Sequence, residues 1–455
     1  MFMADGSQSG VQSALGRRLG YAIGMVGPML GWVATNQYLL YFYTEILRLP
    51  PGIAGLIFGV GMVWDALTDP VIGWLADRTH SRWGRYRAWL LWAAIPYGLS
   101  LPLAFAGFDA SLGAVAITAA MATNLLFRTL YSAVYMPYTA MLAAIASGYD
   151  ERTSYTSWKT VFVFGSNLAV SFGFLTIALA FGGEPVAGFA SAAAVFGLLA
   201  AICILASFAA TAGLERTKPP KGESLGRGLA DLGRDKAFLI LFSGVMICGG
   251  FGSVMSISTA YVAKYWLGDP AAARWLFTCQ AIAALMCIPI WSAIAGRTSK
   301  RTVWVAGAAL SSAGMIGAWA VGPQSEIGLL PFYVIAQVGY TGFIIVMFAM
   351  TADLADWNEA RTTRRHEGVA FGSIAFANKV AAGVAASLVG ALFGYVGIGA
   401  AAEQPVGAAA RDSLLDIAFL LPGIGFATAA LLVAFYPISR QAHAAALEAI
   451  RVRAT

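Results

Sequence analysis

The sequence predicts an all-α membrane protein with twelve transmembrane helices in two six-helix bundles. Three observations lead there. First, 59% of the 455 residues are hydrophobic and 11% are charged, against about 25% charged in soluble domains. A soluble fold of this length could not hide that much apolar surface. Second, the chain holds twelve apolar runs, and a bilayer core of ~30 Å takes about 20 helical residues to cross. Third, the runs fall into two sets of six about one long polar interruption, residues 214–236.

The runs lie near 19–44, 53–76, 88–108, 112–146, 158–182 and 186–213, then 237–267, 271–295, 303–322, 327–352, 368–399 and 413–437. The run at 112–146 is long for one crossing, so it tilts or extends past the bilayer. The opening MFMADGSQSGVQSALG is polar and small, unlike a cleavable signal. Cys203, Cys248, Cys279 and Cys287 all lie inside apolar runs, which argues against an extracellular disulfide framework.

Charge placement gives the orientation. Of the 29 Lys and Arg, Arg48, Lys264, Arg274 and Arg411 sit near one face, while Arg128, Lys159 and Lys379 lie within or at the ends of runs. The other 22 fall in the termini and the loops after even-numbered runs. The positive-inside rule then predicts both termini in the cytoplasm of a plasma (inner) membrane protein. The expected domains are an N-terminal bundle (1–213) with the cation site, a cytoplasmic loop (214–236) and a C-terminal bundle (237–455). The halves echo each other: Ala76-Asp-Arg-Thr-His-Ser-Arg82 after the second run recurs as Ala295-Gly-Arg-Thr-Ser-Lys-Arg301 after the eighth. That position in a six-plus-six layout indicates a duplicated carrier.

Two carboxylates stand out. Asp65 and Asp69 are four residues apart in the second run, so they share a helix face with Thr68 beside them. A buried carboxylate costs several kcal/mol unless it is paired, protonated or ligating a cation, and two together raise each other's pKa. Two readings stay open: a Na⁺ or H⁺ relieves the repulsion, or each aspartate pairs permanently with a basic residue such as Lys379 or Arg128. Arg128, Ser132 and Tyr135 form one stripe of the fourth run. No phosphate loop, metal-spaced Cys/His set or hydrolase nucleophile motif occurs. An enzyme, a nucleic-acid partner and a cofactor other than a coupling ion are therefore not expected. His80, His366 and His443 all fall in cytoplasmic segments.

The motif Gly73-Trp-Leu-Ala-Asp77-Arg78 with its basic turn resembles the major facilitator superfamily. Trp64-Asp65-Ala-Leu-Thr-Asp69-Pro70-Val-Ile-Gly73, Ser81-Arg-Trp-Gly-Arg85, Asp150-Glu-Arg152-Thr, Asp353-Leu-Ala-Asp356-Trp and Glu367-Gly-Val-Ala-Phe371 with Lys379 are similar to the glycoside–pentoside–hexuronide cation symporters, from Tyr21 to about Gly397. The resemblance implies cation-coupled symport of a small organic solute, a sugar, glycoside or hexuronide, by alternating access in a monomer surrounded by lipid.

It further implies a cation site at Asp65, Asp69, Thr68 and Ser132, with Na⁺ as one candidate ion. The implied solute cavity has Met29, Trp32, Asn36, Arg128, Tyr135, Lys159 and Lys379, and the implied cytoplasmic gate has Asp77, Arg78 and Arg85. Three departures matter. Met29 and Tyr135 stand where the sugar carriers have acids that hold hydroxyls, and Met62 stands where the melibiose carrier has arginine. The cavity is then aromatic and positive, and an anionic or amphipathic solute such as a lysolipid is the alternative. Asp353 and Asp356, beside Arg361, Arg364 and Arg365, read as rim salt bridges.

Overall fold

The computed structural model describes residues 15–108, 113–146, 149–180, 184–215, 230, 232–322, 325–362, 367–399 and 407–454, and every regular element among them is helical. The helices are α1 (15–46), α2 (Pro51–Arg78), α3 (Arg87–Ala104), α4 (Ala114–Ile145), α5 (Tyr149–Ala180), α6 (Pro185–Ala210), α7 (Lys236–Trp266), α8 (Ala272–Arg297), α9 (Lys300–Val321), α10 (Glu326–Thr362), α11 (Glu367–Val396), α12 (Ala408–Ala434) and α13 (Arg440–Ala454). Each of α1 to α12 coincides with one apolar run.

Ten of the twelve are continuous and apolar enough to cross a membrane. α1 falls outside that count: a 3-10 turn (Ile23–Met25) interrupts it, and polar residues such as Asn36 and Gln37 lie in the first of its two π turns (Thr35–Leu39, Phe42–Ile46). α3 has only 18 residues and spends three of them on Arg87, Pro96 and Pro102. α13 is a helix that the apolar pattern did not reveal. Arg364, Arg365, His366 and most of the loop 214–236 lie outside the described residues.

Packing divides the chain into two compact units, Met1–Leu49 with Leu67–Pro220 and Pro50–Ala66 with Lys221–Thr455. The first half of α2 thus groups with the second unit rather than with residues 1–213. Small residues are the reason. A Cβ on Gly55 would stand 2.7 Å from Ala386 O, and one on Gly383 would stand 2.8 Å from Gly59 O. Ser387 Oγ donates to Gly55 O at 3.2 Å. Inside a bilayer no hydrophobic force pulls helices together, so this close backbone approach is what holds α2 to α11. The division falls beside Ala66, the residue whose carbonyl Pro70 cannot bond because proline has no amide hydrogen.

The duplication is visible in the backbone. Leu47 N–H donates to Phe42 O (2.9 Å) and Leu49 N–H to Tyr43 O (2.9 Å) at the end of α1. At the end of α7, Leu267 N–H donates to Val262 O and Asp269 N–H to Ala263 O, both at 3.0 Å. Each bond sits 220 residues from its counterpart. The left-handed residue that closes the turn is Gly268 (φ 74°) in the second copy and Arg48 (φ 55°) in the first. Left-handed backbone costs a side-chain-bearing residue about 1–2 kcal/mol, and Arg48 is exposed. Arg48→Gly should therefore leave stability equal or raise it by up to ~1 kcal/mol, and Arg48→Val should lower it by ~1 kcal/mol or more. Thermal unfolding of the detergent-solubilised protein reads both.

Candidate functional site

The first unit carries a polar belt inside an apolar wall. α1 and α5 run side by side in a fixed register: Tyr21 meets Tyr155 edge-on at 5.5 Å, and sixteen residues further on Gln37 Nε2 donates to Ser171 Oγ at 2.9 Å. α4 runs antiparallel to α1. Tyr21 and Tyr138 stack at 4.6 Å and exchange hydroxyl-to-carbonyl hydrogen bonds, Trp32 stacks on Tyr131 at 5.1 Å, and Tyr43 donates to Ala120 O. These contacts fix levels along the bundle. Arg128 lies level with Thr35 and Asn36, Tyr135 lies near Met29, and Lys159 is one turn short of Met29.

Between those levels runs an aromatic ladder. Tyr131 and Tyr135 stack at 5.3 Å. The fully buried Arg128 guanidinium lies 5.3 Å from the Trp32 ring centre and 5.7 Å from that of Phe127. A desolvated guanidinium over an indole face gains about 2 kcal/mol, which helps hold this charge in the interior. Asn36 Nδ2 donates to Trp32 O at 2.7 Å. The fold therefore brings Met29, Trp32, Asn36, Arg128, Tyr135 and Lys159 into one unit. Among the described residues no ion pair involves Lys159.

The aspartates occupy α2 at the point where its halves part. Asp65 is fully buried and belongs to the second unit, where Lys379 Nζ stands 2.8 Å from its Oδ2. Lys379 is itself 8% exposed. Thr68, Asp69 and Ser132 belong to the first unit, and Thr68 Oγ1 and Ser132 Oγ are hydrogen-bonded at 3.2 Å. α2 is continuous through Asp65 and Asp69, so one helical turn separates them. Among the described residues no three His, Cys, Asp or Glu side chains converge as they would around a transition metal.

The basic turn between α2 and α3 is held within the first unit. Tyr86 donates to Asp77 Oδ1 at 2.8 Å, and burial, then the Asp77 carboxylate, push the tyrosine pKa up to about 12, so it stays a donor at neutral pH. Glu215 accepts the amides of Arg85 (2.7 Å), Tyr86 (3.2 Å) and Arg87 (2.8 Å). A carboxylate there satisfies the orphan donors of the α3 N-terminus. Arg78 lies 4.1 Å over the Trp74 ring.

Glu215 was not singled out from the sequence. It opens a stretch in which charge is ordinary. In the second unit Lys300 pairs with Asp353 at 2.6 Å and Arg361 pairs with Asp235 at 3.7 Å, so Arg361 serves a different carboxylate from the two expected. His443 of α13 reaches Asp356 at 3.1 Å and Asp353 at 3.6 Å.

Long apolar helices, duplicated halves and charged groups held deep inside them define a polytopic membrane carrier. The profile of the MFS/sugar transport protein family matches residues 20–440, and the chain belongs to that family. Its relatives include the inner membrane symporter YicJ of Escherichia coli K12, 26% identical over 427 residues, which are 92% of this chain and 91% of the relative. The isoprimeverose transporter of Lactiplantibacillus pentosus is 27% identical over 433 residues, 93% of this chain and 88% of that one. The solved nucleoside transporter NupG superposes with a TM-score of 0.66 at 13% identity, covering 93% of this chain and all of its own. At that identity the likeness shows a shared fold. The protein is a transporter and not an enzyme.

Removing one partner of a buried ion pair costs about 3–5 kcal/mol, whereas removing both is far cheaper. Lys379→Met alone should therefore destabilise the protein by roughly that amount, and Asp65→Asn with Lys379→Met should recover most of it. Melting temperatures of the three proteins check the cycle.

Proposed function

We propose that the protein is a cation-coupled symporter of an organic solute, a sugar, glycoside or hexuronide, with the cation bound by Asp65, Asp69, Thr68 and Ser132. The observation that carries this is the 2.8 Å contact between Lys379 and Asp65. The ammonium occupies the place a coupling ion would take against a fully buried carboxylate, so Lys379 and the ion compete for Asp65. Exchange between them changes what binds α2 to α11. The names of the symporter and isoprimeverose-transporting relatives support the same reading. Asp77, Arg78 and Arg85 act as the cytoplasmic gate. The chain works as a monomer, since one chain supplies both halves, with both termini in the cytoplasm.

A second reading is an anionic or amphipathic solute such as a lysolipid. It is favoured by Arg128 and Lys159 in a unit where Met29 and Tyr135 replace acids.

The test is a NaCl titration of the purified protein at two pH values, with choline chloride holding ionic strength, followed by intrinsic fluorescence and thermal stability. Sodium should stabilise the protein, and Asp65→Asn or Asp69→Asn should abolish the effect. A carboxylate-dependent pH response without a sodium response assigns H⁺ instead. Cation-driven accumulation that survives both substitutions in proteoliposomes defeats the mechanism.

A further inference from the structure

Gln37 is 9% exposed, and its Oε1 has no hydrogen-bond partner among the described residues. An orphaned amide oxygen is costly anywhere in a folded protein. It is costlier inside a bilayer, where water is not at hand to repair it. Its other end is committed. Nε2 donates to Ser171 Oγ at 2.9 Å, and Ser171 Oγ donates to Asn167 Oδ1 at 3.2 Å. Tyr38, the next residue, donates to Ser171 O at 3.2 Å, which pins α1 to α5 here and leaves the Gln37 carbonyl oxygen unspent.

The backbone carries a second sign. Gln37 lies in the π turn Thr35–Leu39, and an extra residue in a helical turn is a feature frequently found at functional sites. That turn contains Asn36, is level with Arg128 and follows Trp32, so it borders the aromatic ladder.

We propose that Gln37, with Ser171 and Asn167, forms a subsite for a hydroxyl group of the transported solute. The inference rests on the solute-carrying reading above and narrows it to polyhydroxylated compounds. A carboxylate or sulfonate would place an acceptor against an acceptor. A hydroxyl both donates and accepts, so it satisfies the amide whichever way the side chain is turned. A neutral amide on α1 thereby adds a hydroxyl-holding group to a unit in which Met29 and Tyr135 carry no carboxylate.

The test uses the full chain in nanodiscs, titrated with isoprimeverose, xylose, glucuronate and the hydroxyl-free dianion adipate, with thermal stability and tryptophan fluorescence as readouts. Gln37→Met keeps the length and removes the amide. It should weaken the best hydroxylated compound about 10-fold, since one hydrogen bond to a neutral group carries about that factor. It should leave the unliganded melting temperature equal or higher and leave the sodium response intact. Unchanged affinity in Gln37→Met overturns the subsite and leaves the transport reading standing. A lowered unliganded melting temperature with unchanged affinity overturns it too, because the amide then served a buried water. Wild-type binding of adipate alone also overturns it. No response to any compound, with no sodium response, overturns both readings. If the variant cannot be recovered, monodeoxy analogues on the wild type decide: one should lose about 10-fold, and uniform affinity across them overturns the proposal.

Discussion

A fully buried carboxylate in an apolar bundle must be neutralised, and the Asp65–Lys379 pair is the contact around which the neighbouring packing is arranged. At 2.8 Å it ties together α2 and α11, whose backbones also approach closely. That closeness requires Gly55 and Gly59 on one helix and Gly383 and Gly390 on the other. Four residues after Ala66, where the grouping of α2 changes, the missing amide of Pro70 removes one hydrogen bond from the helix. Charge, glycine and proline are three parts of one solution.

The two halves share a backbone plan and stabilise it with different chemistry. The Arg-Thr motif ends α2 and α8 alike, and Thr79 and Thr298 bond back to Leu75 O and Ile294 O in the same manner. Beyond that point they diverge. Asp77 and Glu215 organise the turn in the first half. In the second, Gly296 replaces the aspartate, and the rim is tied by Lys300 to Asp353 and by His443 of α13 to Asp353 and Asp356. The tail helix thus adds a tie to the second half through a side chain that lies outside the repeat.

Charge against an apolar background made much of this legible in the sequence. Twelve runs, the break near 214–236, the paired aspartates and Lys379 as a partner for one of them all stand out because a charged residue in such a run is expensive. The rest was hidden for equally physical reasons. Glu215 sits in a stretch where charge is cheap, so its role depends on folding back to the α3 amides. Gln37 is neutral, and a π turn leaves no mark on a 3.6-residue pattern. The transfer of Pro50–Ala66 to the second unit depends on which helix its glycines meet, and no single helix encodes that.

The π turns also separate what the halves share from what they do not. The pair at Phe42–Ile46 and Val262–Trp266 sits at matching places in both halves, as an inheritance from the unduplicated ancestor would. The turn at Thr35–Leu39 has no counterpart in α7, which is regular from Lys236 to Tyr261. That extra residue is a difference between the halves, laid over a backbone plan they otherwise share. It marks a place where one half is not interchangeable with the other.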